Sequence, residues 1–431
     1  MTGPTIKELR ITPIATVDPP LLNSVGIHSP YALRTIIELV THDNISGISE
    51  IPGNVDINSL LSQAQEVVIG ADPFQLNKLR NDIFQRFGDS EQDLRGSNPW
   101  DDRKLVHVFS ALEVACLDIQ GKVTGRPVVD LLGGRCRDEI SFAAYLFYKE
   151  QGAGGKLNYG IDASATGWDA ARQARAVTPE EIVAQAKAMC QEYGFKSIKL
   201  KGGVFEPDQE LKAMQKLHEA FGPEVPLRFD PNGVWTVETS ITYGKKMEEI
   251  LEYLEDPTRG QQGMSEVRKA LKIPLATNMC TTSFDELPSS ISMGSEDIIL
   301  SDHHFWGGLR ASVELGRLSA TFGRGLSMHS NSHLGISLMA MVHMAAAIPN
   351  LTYDLDTHYP WQSEEVVEGG RIAIDAGTVA VPKEPGLGIT LDREALDRLH
   401  QNFKECGLTH RDDTGEMKKL DPNWEFKAVR W

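Results

Sequence analysis

Lys199 and Lys201 stand two residues apart in the stretch FKSIKLKGG, which reads as a short strand. Side chains two apart in a strand share a face, so both ammonium groups meet the same surroundings. A lysine crowded by a second ammonium gives up its proton more readily, so one of the pair can act as a base near neutral pH. Taken alone, such a pair also describes a solvated strand end. Its meaning comes from what recurs downstream: Asp230, Glu255, Asn278, Asp302 and His329 each stand at the end of a later β-rich run. An Asp, a Glu and an Asn at three successive strand ends supply the hard oxygen donors that Mg2+ takes, and no thiolate or imidazole shares those positions to favour zinc. Asp302 and His329 end neighbouring runs. There a carboxylate can hold one ring nitrogen of the imidazole and raise its basicity, leaving the other nitrogen to exchange protons.

These residues converge only if their strands close on one another. From about Ile140 onward, SFAAYLFY, KSIKLK, VPLRFD, LEYLE, IPLAT, DIILSD, GLSMHS and LTYDLD read as strands, separated by segments long enough for crossover helices. The clearest helix has Thr178 as N-cap, Pro179 at its first position, Glu181 closing a capping box and Gly194 at its end. Eight strand candidates with helices between them predict a closed α/β barrel, whose strand ends surround one pocket. A doubly wound sheet is the alternative, but the Gly-rich phosphate turn expected after its first strand is missing. Ahead of the barrel, residues 5 to 50 read as an antiparallel sheet with Asp43-Asn44 and Gly47 as turn chemistry. Helices follow at Leu76, Leu79 and Ile83, and from Leu105 to Ile119, closed by Gly121, Gly125 and Pro127. We place the α+β module at 1–135 and the barrel at 136–390, with 391–431 completing the module.

The 431 residues exceed the usual size of a single domain, in keeping with that division. A net charge of −17 argues against nucleic acid or an anionic membrane as partner, and requires an anionic substrate to find local cations. The five scattered cysteines lack C-x-x-C spacing, which points to a reduced, cytoplasmic compartment. The start has no apolar core of signal-peptide type, and the most apolar later run, Ile336 to Ile348, is interrupted by His343, so no membrane span is expected.

The chain resembles the enolase superfamily, and within it the glucarate dehydratase family, over nearly its whole length. The resemblance is carried by LLNSVGIHSPY, ACLDIQGK, VVDLLGG, YLFY, GFKSIKLKGG, DPNGVW, EDP, ATNM, SDHHFWGG, HSNSH, DTHYPWQ and RDD. It implies a (β/α)7β TIM-like barrel with an N-terminal capping domain, and Mg2+ held by Asp230, Glu255 and Asn278. It further implies Lys201 and His329 as acid/base groups on opposite faces of the substrate, Lys199 assisting Lys201, and Asp302 orienting His329. His28, Tyr145, Asn232, Ser330, Asn331, His358 and Arg411 would contact an acid-sugar substrate, D-glucarate or L-idarate, undergoing dehydration. A homo-oligomer is expected on the same ground.

The chain departs from that pattern in three places. Arg259-Gly260-Gln261-Gln262-Gly263 lacks the acidic residue expected after EDP, His303 replaces a proline, and Lys104 or Leu105 stands where a threonine is expected after Asp101-Asp102-Arg103. Three readings stay open: a glucarate or idarate dehydratase, a related acid-sugar dehydratase or epimerase with another substrate, and a weakly active paralogue that binds a ligand or partner enzyme.

Overall fold

A computed structural model describes residues 3–88, 103–155 and 159–431. Asp101 and Asp102, named above for the missing threonine, lie outside the described residues. The N-terminal stretch forms β1 (Ile6–Val17), β2 (Tyr31–Thr41) and β3 (Ser46–Pro52), an antiparallel sheet in the order β1-β2-β3. The β2–β3 turn places Asn44 at φ 63°, the left-handed region that Asn tolerates. Gly47 belongs to the strand and not, as expected, to the turn. A Cβ there would lie 2.0 Å from the Ala115 carbonyl, so the glycine lets a helix press onto the sheet. That helix is α3 (Lys104–Thr124), preceded by α1 (Val55–Val68) and α2 (Leu76–Phe87). It is buried along most of its length because the sheet lies on one side and the barrel on another. Gly125, at φ 67°, ends it, whereas Gly121 is a packing position facing Gly386.

The barrel strands are β4 (Ala144–Phe147), β5 (Ile198–Lys201), β6 (Leu227–Asp230), β7 (Leu251–Glu255), β8 (Leu275–Thr277), β9 (Ile298–Ser301) and β10 (Gly325–Met328). They pair in parallel in chain order, each beside the next. The expected eighth strand, LTYDLD, is not a regular strand. It still closes the ring through backbone bonds: Thr352 and Asp356 donate to the carbonyls of Leu326 and Met328, Leu355 donates to Ser141, and Ala143 donates to Leu355. The first expected strand is split, since Glu139–Ser141 pairs antiparallel with Thr378–Ala380 before β4 begins.

The helix α4 (Pro179–Tyr193) shows the full capping box at Thr178 and Glu181 and ends on Gly194 in the left-handed conformation. Two later helices, α5 (Leu309–Thr321) and α6 (Gly335–Ala346), have no side-chain N-cap of their own. Their first amides are satisfied from elsewhere in the chain. Glu113 of α3 accepts from Leu309 N–H at 2.5 Å. Glu50 of β3 accepts from Leu334 and Ser337 N–H at 2.9 and 3.0 Å, and Glu365 accepts from Gly335 N–H at 3.0 Å. Carboxylates at helix N-termini are favoured by the exposed amides and the helix dipole, so Glu50 and Glu113 tie the N-terminal sheet and α3 to helices of the barrel. The helix α7 (Arg393–Cys406) runs back along β1, where His400 Nδ1 donates to the Pro13 carbonyl at 2.6 Å, and its Arg393 pairs with Glu38 of β2. Among the described residues no helix is long and apolar enough to cross a membrane.

Candidate active site

The two lysines of β5 project inward at the top of the barrel and are treated differently by their neighbours. Lys199 is fully buried, with Nζ 2.5 Å from Glu255, 2.6 Å from Asp356 and 3.8 Å from Asp230, and 4.7 Å from the centre of the Tyr145 ring. Burial alone would push its proton off, but the carboxylates of Asp356 and Glu255 outweigh it and hold Lys199 well above the ordinary lysine range. It is therefore a fixed cation and not the base of the pair. Lys201 Nζ lies 2.5 Å from Asp230 and donates to Asn232 Oδ1 at 2.6 Å. Asn232 sits at φ 60°, donates its backbone N–H to Asp230 at 2.9 Å, and is held on its other side by Ser24 of the N-terminal loop.

Asp230, Glu255 and Asn278 come together beside these lysines. Asn278 Nδ2 donates to Glu255 Oε1 at 3.1 Å, and its backbone N–H donates to Asp256 at 2.8 Å, which fixes the β8 end. Burial would raise Asp230, but Lys201 and Lys199 outweigh it and hold the group below the usual carboxylate range. Burial pushes Glu255 well above that range, and Lys199 does not offset the added repulsion from Asp230 and Asp356. Glu255 Oε2 meets the Lys199 ammonium at 2.5 Å, an ion contact without aligned hydrogen-bond geometry. Two buried carboxylates beside a side-chain amide, all oxygen donors with no thiolate or imidazole among them, fit a hard divalent cation such as Mg2+. Asp230, Glu255 and Asn278 are the residues that would hold it.

On the other side of the barrel, His329 Nδ1 lies 3.0 Å from Asp302 Oδ2. Burial would raise Asp302, but the imidazoles of His304 and His329 hold it well below its ordinary value, so it is an anion that accepts from Nδ1–H. That tautomer makes Nε2 the basic nitrogen of His329. Asp302, His303 and His304 bring ligating atoms within 4.8 Å of one another. Asp302 is already engaged there by His304 Nδ1 and by His304 N–H, each at 2.8 Å.

Both halves open on one cavity of about 590 Å³. Its lining includes Lys201, His329, Asn278 and every residue expected to contact substrate, namely His28, Tyr145, Asn232, Ser330, Asn331, His358 and Arg411. Lys199, Asp230, Glu255 and Asp302 lie behind this lining. Arg411 donates through Nε and Nη2 to Asp413 at 2.8 and 2.6 Å and through Nη2 to His28 Nε2 at 2.7 Å. An arginine only donates, so His28 carries its proton on Nδ1 and gives it to Asp18 at 2.9 Å. His358 packs edge-on against Tyr145, 4.8 Å between ring centres, and burial together with neighbouring cationic groups keeps it neutral, well below the ordinary histidine range.

A sequence model described as "Enolase C-terminal domain-like" matches residues 181–395. A curated protein of Streptomyces coelicolor, named "Probable glucarate dehydratase", is 45% identical over 438 residues, covering 99% of each chain. The chain belongs to the enolase superfamily. Two solved structures of superfamily members are similar throughout. An enolase from Mycobacterium smegmatis complexed with tartrate shares 48% identity at a TM-score of 0.91, covering 100% of this chain and 99% of that one. One from Pseudomonas fluorescens with bound magnesium, potassium and tartrate shares 44% at 0.90, with the same coverage.

In this superfamily member several residues of the site escaped the sequence reading. Asp356, the partner of Lys199, ends the LTYDLD run and was visible there as a strand-end acid. Arg34 and Glu50 gave no local signal. Arg34 reaches from β2 to donate to Asn331 Oδ1 at 3.1 Å and to Glu50 at 2.7 Å, which leaves the Asn331 NH2 group as a donor. Of the departures, Lys104 starts α3, pairs with Asp56 at 2.8 Å and lines the cavity. Gln261 is spent on Thr281 and the Glu286 carbonyl.

Proposed function

We propose that this enolase-superfamily chain is a Mg2+-dependent acid-sugar dehydratase, a hydro-lyase that converts D-glucarate, and its C5 epimer L-idarate, to 5-keto-4-deoxy-D-glucarate. The observation that carries the reading is the pair of proton-handling groups, Lys201 and His329, facing one cavity from β5 and β10. Each is backed by its own acid, Asp230 and Asp302 respectively. The name and full-length similarity of the Streptomyces relative support the same reaction class.

A proton α to a carboxylate is very weakly acidic, so its removal needs a positioned base and stabilisation of the charge left behind. Mg2+ bound by Asp230, Glu255 and Asn278 would supply Lewis-acid stabilisation of the substrate carboxylate. His329 Nε2 takes the C5 proton of D-glucarate, and Asp302 stabilises the resulting imidazolium through Nδ1–H. The same imidazolium then returns its proton to the C4 hydroxyl, which leaves as water with the C4–O electron pair while a C4–C5 double bond forms. The enol so made tautomerises to the keto acid. Lys201 serves the C5 epimer from the other face. Lys199, held as a cation, keeps positive charge beside the carboxylate end, and Arg411 receives the distal carboxylate at the cavity rim.

Keto-acid formation from a panel of hexarates and hexonates tests the reading, with Mg2+ present and with chelator. The expected result is turnover of D-glucarate and L-idarate that chelator abolishes and that His329→Asn lowers by more than about a thousandfold for glucarate. Full glucarate dehydration by His329→Asn overturns the assignment. Preference for another hexarate would favour the second reading, for which Lys104 at the cavity wall is the specific observation.

A further inference from the structure

His304 stands next to the base and has no part in the chemistry above. It is buried, its ring lies 3.9 Å from that of His303, and it joins three elements. Nδ1 lies 2.8 Å from Asp302 Oδ1, on the carboxylate whose other oxygen faces His329. Nε2 lies 3.1 Å from the backbone carbonyl of Glu50 on β3 and 3.3 Å from Ser337 Oγ on α6. A carbonyl only accepts, so the shorter contact requires a proton on Nε2. Ser337 in turn has a carbonyl acceptor of its own, Glu50 O at 3.3 Å, and receives Arg34 Nη2 at 3.4 Å. The charged and titratable groups around the ring are Asp302 and His329 from the barrel, His303 beside it, the Arg34–Glu50 pair from the N-terminal sheet, and His333 ahead of α6. Burial and the neighbouring His304 keep His303 well below the ordinary histidine range, so it adds no charge. Two anions, Asp302 and Glu50, face Arg34 and the His304 ring from opposite sides.

We propose that His304 is a positioning residue for the base: it donates from both ring nitrogens, to Asp302 and to the Glu50 carbonyl, and so shares the Asp302 carboxylate with His329. Two consequences follow from this geometry. Asp302 gives part of its charge to His304, so His329 is less basic than an undivided Asp–His pair would make it. The orientation of Asp302 is also tied to the docking of the N-terminal sheet, because the far end of His304 rests on a β3 carbonyl. The proposal rests on His329 as the proton-transfer group.

The test uses full-length enzyme with 15N-labelled histidine, the resonances assigned by their loss in His304→Gln and His329→Asn. Expected near neutral pH are N–H-type signals from both ring nitrogens of His304. In His304→Gln the His329 titration should move upward by about one pH unit, and the acid limb of kcat/KM for D-glucarate should move with it, while KM changes less than about threefold. A second variant, Ser337→Ala, removes the competing donor to Nε2 and should leave the His304 signals and the acid limb in place. A His304 Nε2 without a proton, or a His329 titration unmoved in His304→Gln, overturns the proposal. The NMR measurements need no turnover, so an enzyme inactive on every acid sugar but showing these signals refutes the dehydratase reading and leaves the His304 assignment standing.

Discussion

Lys199 Nζ lies 2.6 Å from Asp356 Oδ2, joining residues 157 apart in the chain and linking the second barrel strand to the irregular segment that closes the ring. With Glu255 on its other side, the ammonium is enclosed by carboxylates, which fixes its charge and removes it from the candidates for general base. A buried ion pair that loses one partner leaves an uncompensated charge, at a cost of about 3–5 kcal/mol.

Asp356→Asn is expected to destabilise the protein by less than that, because Glu255 stays 2.5 Å from the ammonium, seen as a lower midpoint in urea unfolding with an unchanged slope. Replacing both partners, Lys199→Met with Asp356→Leu, should not recover the stability, because the double variant also takes the cation away from Glu255, 2.5 Å from Lys199 Nζ. An Asp356→Asn midpoint equal to wild type would show that the pair carries little.

The proposed division of labour between Lys201 and His329 predicts a substrate-dependent effect. Lys201→Met should lower dehydration of L-idarate by at least about a thousandfold and dehydration of D-glucarate far less, because His329 takes the glucarate proton. The measurement is keto-acid release from each epimer by the one variant. Equal losses on both would mean that Lys201 acts through Asp230 and Asn232, its present partners, and not as an epimer-specific base.

Glu113 gives a pH-dependent stability. Burial raises its carboxyl to about 7, from an ordinary 4.5, although it accepts from Leu309 N–H. Its folded value exceeds its unfolded one, so its share of stability is complete below about 4.5 and is lost as pH rises to about 7. Relative to Glu113→Gln, which cannot ionise, wild type should lose on the order of 3 kcal/mol between pH 4.5 and pH 8. Parallel unfolding curves across that range check it, and a difference independent of pH would contradict it.

Much of the fold was legible because each signal was local. The Thr178–Glu181 box, the apolar spacing of α2 and α3, and polar residues closing successive β-rich runs need no knowledge of distant residues. Gly47 was misplaced because a glycine in a turn and one beneath a crossing helix look alike in sequence; only the position of Ala115 separates them. LTYDLD has the composition of a strand, yet the spaced backbone bonds of Thr352, Leu355 and Asp356 to its neighbours do not make a regular ladder. Within the site, residue types at strand ends revealed the candidates but not their protonation states. Crowding left open which lysine of the pair is the base, whereas Asp356 and Glu255 hold Lys199 well above the ordinary lysine range. Arg34, Glu50 and His304 were invisible because each acts through another side chain across a boundary that no periodicity marks.

The glutamates that seal the starts of α5 and α6 also limit how this protein can be rearranged. A fragment holding only the portion matched by the family description, 181–395, would leave the N–H groups of Leu309, Leu334 and Ser337 without their acceptors at the end of the barrel where the candidate site lies. Chimeras exchanging front halves with relatives must carry an acid at positions 50 and 113, or the recipient inherits a loosened mouth along with its new selectivity.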